Sequence, residues 1–178
     1  MRIVGGKYRG RVLAEVNFDG IRPTSDMARE SLFNILQFKV IDAEVLDLFC
    51  GTGAIGIEAL SRGAKRVVFN DADKKSLQIL KNNLLKLKVD EPYSIKNLDA
   101  INFLDRTDEK FDIVYIDPPY KSDLKREAVQ KAERVIKDNG LIILEDEKEF
   151  DGQIDRLKIT DRRKYGRVKL TFFQKEEN

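Results

Sequence analysis

The chain has 178 residues, 42% hydrophobic and 36% charged, which suits one soluble globular domain and leaves no apolar run longer than a strand to span a membrane or serve as a signal peptide. It has no histidine and a single cysteine, Cys50, which excludes a disulfide framework, the usual catalytic triads and most zinc sites, and fits a reducing cytoplasm. Its net charge of +2 is lopsided: residues 1–13 carry +4, residues 156–175 carry +7, and the remainder therefore carries −9.

In chain order, residues 2–15, with Gly5, Gly6 and Gly10 between short β-prone runs, predict a hairpin. A basic arm over 1–20 is thereby divided from a main domain over 21–178. Thr24 or Ser25 is placed to cap a helix whose apolar face is Ala28, Leu32, Phe33, Ile35 and Leu36. Strands and helices then alternate: strand 44–49, helix 54–62, strand 66–71, helix 73–88, weak strand 93–96, helix 100–104, strand 111–116, helix 123–137 and strand 141–144. That rhythm belongs to an α/β doubly wound parallel sheet. The tail departs from it, since 157–164 and 167–174 flank Tyr165-Gly166 as a hairpin and make an antiparallel end.

In such a sheet, ligands bind beyond the carboxyl ends of the strands. Asp47, Asp71 and Asp117 mark three of those ends, and Asp99 lies just past another. The first strand leads into Gly51-x-Gly53-x-x-Gly56, whose glycines let backbone N–H groups approach a ligand. Alone, this also matches the dinucleotide fingerprint, with Asp71 where a ribose-binding acid belongs. Two features favour a methyl donor: Asp47 stands four residues before Gly51, a methyltransferase habit, and the chain lacks the substrate domain of a dehydrogenase. Asp47 would then steady the loop and the methionine end of S-adenosylmethionine, Asp71 would hold the ribose hydroxyls, and Asp99 the adenine amine. Phe49 and Ala100, beside these acids, join the set.

The motif Asp117-Pro118-Pro119-Tyr120 follows an apolar strand. A base amino group is a poor nucleophile because its lone pair is delocalised into the ring. The Asp117 carboxylate and the Pro118 carbonyl can each accept one of its N–H bonds and turn the lone pair toward a methyl group. Consecutive prolines preorganise both acceptors, and Tyr120 offers a ring on which an extruded base can stack. No metal and no separate base is demanded, because a sulfonium already activates the methyl. Cys50 could suggest a thiolate nucleophile, but its place in the glycine loop favours a small space-filling residue.

With these residues assembled, the chain resembles the bacterial 16S rRNA guanine-N2 methyltransferases that act on the guanine conventionally numbered 966. The resemblance is carried by Arg2-Ile-Val-Gly-Gly-Lys-Tyr-Arg-Gly-Arg11, Ile21-Arg-Pro-Thr24, Arg29-Glu-Ser-Leu-Phe-Asn34, Leu46-Asp-Leu-Phe-Cys-Gly-Thr-Gly53, Glu58-Ala-Leu-Ser-Arg-Gly63 and Asp117-Pro-Pro-Tyr120. It implies a class I (Rossmann-like) methyltransferase fold with a mixed seven-stranded sheet, S-adenosyl-L-methionine as donor with S-adenosyl-L-homocysteine as product, and a substrate presented on the small ribosomal subunit. It gives Asp117, Pro118 and Tyr120 the catalytic roles, assigns Gly51, Gly53, Asp71 and Asp99 to the cofactor, and brings Thr24 to its methionine end. Asp71 departs from the glutamate of many members, although either carboxylate can take two hydroxyls. The basic ends, Lys7, Arg9 and Arg11 with Arg162, Arg163, Lys164 and Arg167, are expected to meet beside the active-site mouth and grip rRNA. No oligomer is required. The rival readings are an amino-group methyltransferase acting on DNA adenine or protein glutamine, where Asn-Pro-Pro-Tyr is usual, and a nucleotide-binding oxidoreductase or non-catalytic binding module.

Overall fold

A computed structural model describes residues 1–15, 26–119 and 124–177. The helices are α1 (Asp26–Leu36), α2 (Ala54–Ser61), α3 (Lys74–Leu87), α4 (Ala100–Arg106) and α5 (Leu124–Val135). The strands are β1 (Glu44–Asp47), β2 (Arg66–Asn70), β3 (Tyr93–Lys96), β4 (Phe111–Ile116), β5 (Ile136–Asp146), β6 (Leu157–Tyr165) and β7 (Val168–Lys175). They form one sheet in the order β3-β2-β1-β4-β5-β7-β6. Only β7 runs against the others. This is the expected mixed seven-stranded sheet, and its strand order reverses between β1 and β4. A crevice opens at such a switch point.

Period-two alternation sends each central strand to two cores. Val45, Val67, Phe69, Ile113, Tyr115 and Ile143 face α2, α3 and the arm. Leu46, Val68, Val114, Ile116, Ile142 and Leu144 face α4 and α5. Helix α3 is amphipathic because Leu77, Leu80, Leu84 and Leu87 recur on one face, each buried and each contributing about 1.5–3 kcal/mol. Asp73 caps it by accepting from Lys75 and Ser76 N–H.

Two local expectations shift. The helix expected over 123–137 ends at Val135, and the strand expected over 141–144 begins at Ile136 and runs to Asp146. Ile136 pairs with Phe111 ahead of an irregularity in the β4 ladder, and a Cβ at Gly140 would press on the Ile136 side chain at 2.6 Å. Packing thus carries a polar, turn-like stretch into the sheet. The arm is a narrow loop closed by the Arg2–Val12 bridge rather than two full strands. Its Ile3, Tyr8 and Leu13 are buried in the same core as α2 and α3. The cap expected at Thr24 or Ser25 lies outside the described residues.

Candidate active site

The loop after β1 enters the crevice. Gly51 and Gly53 both take positive φ, 53° and 91°, the region that glycine occupies without strain. Gly53 is also the N-cap of α2, where a Cβ would stand 2.2 Å from Leu80 Cδ1. A Cβ at Gly51 would meet nothing within 4 Å, so this stretch of backbone faces open space. The loop is pinned from three sides. Asp47 accepts the Gly56 N–H at 3.0 Å, Asp71 accepts the Gly51 N–H at 2.8 Å, and the Cys50 N–H reaches the Asn70 carbonyl at 2.9 Å. Phe49 is half-buried beside it.

Asp71 is partly exposed at the end of β2 and accepts a second bond from Asp73 N–H at 2.8 Å, which orients its carboxylate. Asp99 is exposed and caps α4 by accepting Asn102 N–H at 3.0 Å, with Ala100 buried behind it. Asp47, Phe49, Gly51, Gly53, Asp71, Asp99 and Ala100 therefore follow the ends of β1, β2 and β3, on one side of the switch point. Thr24 and Tyr120 lie outside the described residues.

On the other side stands Asp117, directly after β4, partly exposed, with Pro118 buried and Pro119 exposed. The register that pairs Ile116 with Leu144 brings Asp117 level with Glu145 of β5. The Tyr115 hydroxyl donates to Glu145, and Lys125 meets Asp146 at 2.5 Å. Burial, with the nearby carboxylates of Glu145, Asp47 and Asp146, pushes the Asp117 carboxyl well above its usual range. Burial likewise raises Asp47 to about 7, against the Gly56 hydrogen bond. The Cys50 thiol, 7% exposed, is driven up by burial and then by Asp47 and Asp71. It stays protonated and acts as core.

Three site features escaped the sequence reading. Asn83, 1% exposed, donates to the Thr52 and Ala14 carbonyls at 3.1 and 3.0 Å and accepts Ala14 N–H at 2.8 Å, tying the glycine loop to the arm's exit. Its signal was an amide set among the leucines of the apolar face of α3. Glu145 and Asp146 were announced by two acids directly after an apolar strand. Glu58, fully buried, accepts Val4 and Gly5 N–H at 3.0 and 2.8 Å and pairs with Arg62 at 2.8 Å and the buried Arg29 at 3.4 Å.

The structure holds the two basic ends apart. Lys7 bonds to Asp90 and Glu91, in the turn before β3 at the amino end of the strands. Lys164 and Arg167 flank the β6–β7 turn at the opposite edge and opposite end. Six strand spacings separate those edges, about 28 Å. The expected common grip is thus corrected for Lys7: the arm folds back on α2 and α3, and Lys7 is held at the amino end of the sheet, away from the β6–β7 turn. Arg9 and Arg11 are exposed on that arm, Arg162 meets Glu149 at 3.4 Å, and Arg163 meets Asp161 at 2.9 Å.

Among the described residues there is no acid, histidine or cysteine cluster suited to a metal, and no helix long and apolar enough to cross a membrane. The family described as "Conserved hypothetical protein 95" matches residues 1–174. The ribosomal RNA small subunit methyltransferase D of Haemophilus influenzae is 40% identical over 154 residues, 84% of this chain and 80% of that protein. The solved structure of yhhF from Escherichia coli superposes with a TM-score of 0.88 at 35% identity, over 99% of this chain and 98% of that one. A SAM-dependent methyltransferase from Agrobacterium tumefaciens, at 23% identity, shares the fold with a TM-score of 0.62 over 71% of this chain and 45% of that one. The fold is that of the class I methyltransferases.

Proposed function

Because the chain belongs to the family described as "Conserved hypothetical protein 95", that of the small-subunit rRNA methyltransferases D, we propose that it methylates the exocyclic N2 of a guanine in 16S rRNA of the small ribosomal subunit, with S-adenosylmethionine as donor. The observation that carries this reading is Asp117-Pro118 at the end of β4, across the switch point from the pinned glycine loop. One half of the crevice suits a nucleoside, through Asp71 for ribose hydroxyls, Asp99 for the adenine amine, and the open backbone at Gly51. Asp47, Phe49 and Ala100 support that half, with Thr24 assigned to the methionine end. The other half presents two acceptors to an amine, with Tyr120 assigned to stack the base.

The donor supplies an electrophilic methyl on a cationic sulfur. Asp117 and the Pro118 carbonyl accept the two N–H bonds of the target amine and direct its lone pair along the transfer line. Alignment of this kind contributes up to about 7–11 kcal/mol in ideal cases. As the N–C bond forms and the C–S bond breaks, the amine becomes cationic and releases one proton. Asp117 is suited to accept it and pass it to solvent, because burial, and then the carboxylates of Glu145, Asp47 and Asp146, raise its affinity for a proton. Asp47, Asp71, Asp117 and Glu145 crowd negative charge that a cationic donor, once bound, would offset.

The test combines labelled donor, small subunits from a strain lacking this methylation, and nucleoside chromatography. N2-methylguanosine is the expected product. N6-methyladenosine would transfer the reading to the adenine rival, and the absence of any labelled nucleoside would overturn it.

A further inference from the structure

We infer that the β6–β7 turn is a docking site for backbone phosphates of the RNA strand that flanks the target base, held by Lys164, Arg167 and Lys169. The inference rests on the function proposed above and adds where the polyanion is gripped. Because β6 runs with the parallel strands and β7 returns, their turn stands at the carboxyl edge of the sheet, where Lys169 is in register with Asp146. A cavity of about 340 Å³ opens there, lined by Glu147, Lys164, Gly166, Arg167 and Lys169. Its lining is positive by two charges.

Two features set these cations apart. Lys164 lies directly opposite Lys169 across the ladder, a like-charge pairing that costs stability. Neither lysine nor Arg167 has an ion pair among the described residues. Elsewhere on the same hairpin, acids answer the cations: Arg162 has Glu149, Arg163 has Asp161, and Lys175 has Asp138 at 3.4 Å and Glu133 at 3.9 Å. On this hairpin, among the described residues, the cations without an ion pair lie at the turn. Among the described residues no acid is ion-paired to these cations: Asp146, in register with Lys169, is held by Lys125, and Glu147 leaves the lining net positive, a charge that a phosphodiester would offset.

Its position gives the turn a use. The crevice presents the partly exposed Asp71 and the exposed Asp99, which repel a nucleic-acid backbone. A strand can deliver a base there only if its phosphates are held to one side. The turn lies two to three strand spacings from β4, roughly 10–15 Å, which matches the span between an extruded base and a neighbouring phosphate. Gly166, at φ 60°, keeps the turn tight and without a side chain.

The test uses the full chain and the variant K164A/R167A/K169A, with K164R/K169R as the charge-preserving control. Unmethylated small subunits are titrated between 50 and 200 mM salt, S-adenosylmethionine binding is followed by calorimetry, and folding by thermal melting. The triple variant is expected to raise KM for subunits at least about tenfold and to flatten log K against log salt by about 2, from roughly 0.7 per phosphate contact. Donor affinity stays put, the melting temperature holds or rises slightly as the Lys164–Lys169 repulsion is removed, and K164R/K169R behaves as wild type. Polyuridylate, but not polyglutamate of equal charge, should compete with subunits for the wild type. An unchanged KM and slope in a variant whose wild type methylates subunits would overturn the docking site and leave the reaction standing. Competition by polyglutamate alone would also overturn it, in favour of an acidic protein. A wild type that modifies no RNA overturns both readings.

Discussion

Charges at the amino end of the sheet face their opposites, whereas at the carboxyl end, the Lys125–Asp146 pair apart, like charges gather. At the amino end Lys137 bridges Glu44 and Asp112, each at 2.9 Å, Arg66 reaches Glu109 at 2.6 Å, and Lys7 is held by Asp90 and Glu91. The Lys137 hydrogen bond keeps Glu44 below its ordinary range. At the carboxyl end Asp47, Asp71, Asp117 and Glu145 crowd one stretch while Lys164, Arg167 and Lys169 crowd the next. Paired charges account for themselves as parts of the fold. Segregated ones cost stability in isolation and mark where a cationic donor and an anionic strand would restore the balance.

The sharpest way to break this contrast is at Asp117. Asp117→Ala should reduce methyl transfer at least ~10³-fold, the upper range for removing one preorganised partner, while the protein melts no lower than wild type. Asp117→Asn should fall between, since its amide oxygen still accepts one bond. Single-turnover rates and melting curves read both, and a variant near the wild-type rate would remove Asp117 from the chemistry.

Glu58→Ala should do the reverse. It leaves Arg29 buried without its carboxylate and orphans the Val4 and Gly5 N–H groups, at a cost of about 3–5 kcal/mol in denaturant unfolding. Activity per folded molecule should change far less. Asp71→Ala should weaken S-adenosylmethionine binding by about 1.5–3 kcal/mol in calorimetry. An affinity within about twofold of wild type would show that Asp71 only holds the glycine loop.

The two ends should also answer pH in opposite directions. Asp47 rises from an ordinary 3.8 to about 7 on folding, so the folded chain binds that proton more tightly than the unfolded one. Its contribution favours folding below about pH 4, falls as the pH climbs to about 7, and is flat beyond. Glu44, held low by Lys137, contributes stability above its ordinary range and loses it as the pH falls through its folded value. Unfolding free energies across pH 4–8 should therefore decline less steeply in Asp47→Asn than in wild type, and parallel curves would contradict the raised value. The smallest effect is expected at Lys7. Half-exposed and solvated, it should shift the melting temperature by no more than about 2 °C when replaced by alanine.

Local pattern made much of the carboxyl end legible. Strand 111–116, the glycine loop and the run of acids at strand ends each lie within a few residues, and alternation says which neighbours share a face. Helix α3 was legible from its leucines, yet the same face hid Asn83, because periodicity reports polarity and not the partner an amide finds. The start of β5 was lost for a related reason. Its pairing with Phe111 across the sheet outweighs a local preference for a turn.

The sequence by itself determined the alternation of strands and helices, the antiparallel tail, the glycine loop and the Asp-Pro-Pro-Tyr motif, since each rests on residues close enough along the chain to act on one another before folding. Which charges meet was left to the tertiary structure. Lys7 and Asp90 are 83 residues apart, and Val4 and Glu58 are 54 apart. Nothing local distinguishes those cations from Lys164 or Arg167. Only the strand order and the return of the arm onto α2 decide it, because electrostatic energy depends on distance in space, and folding brings acids to one set of cations and leaves the other at a bare turn.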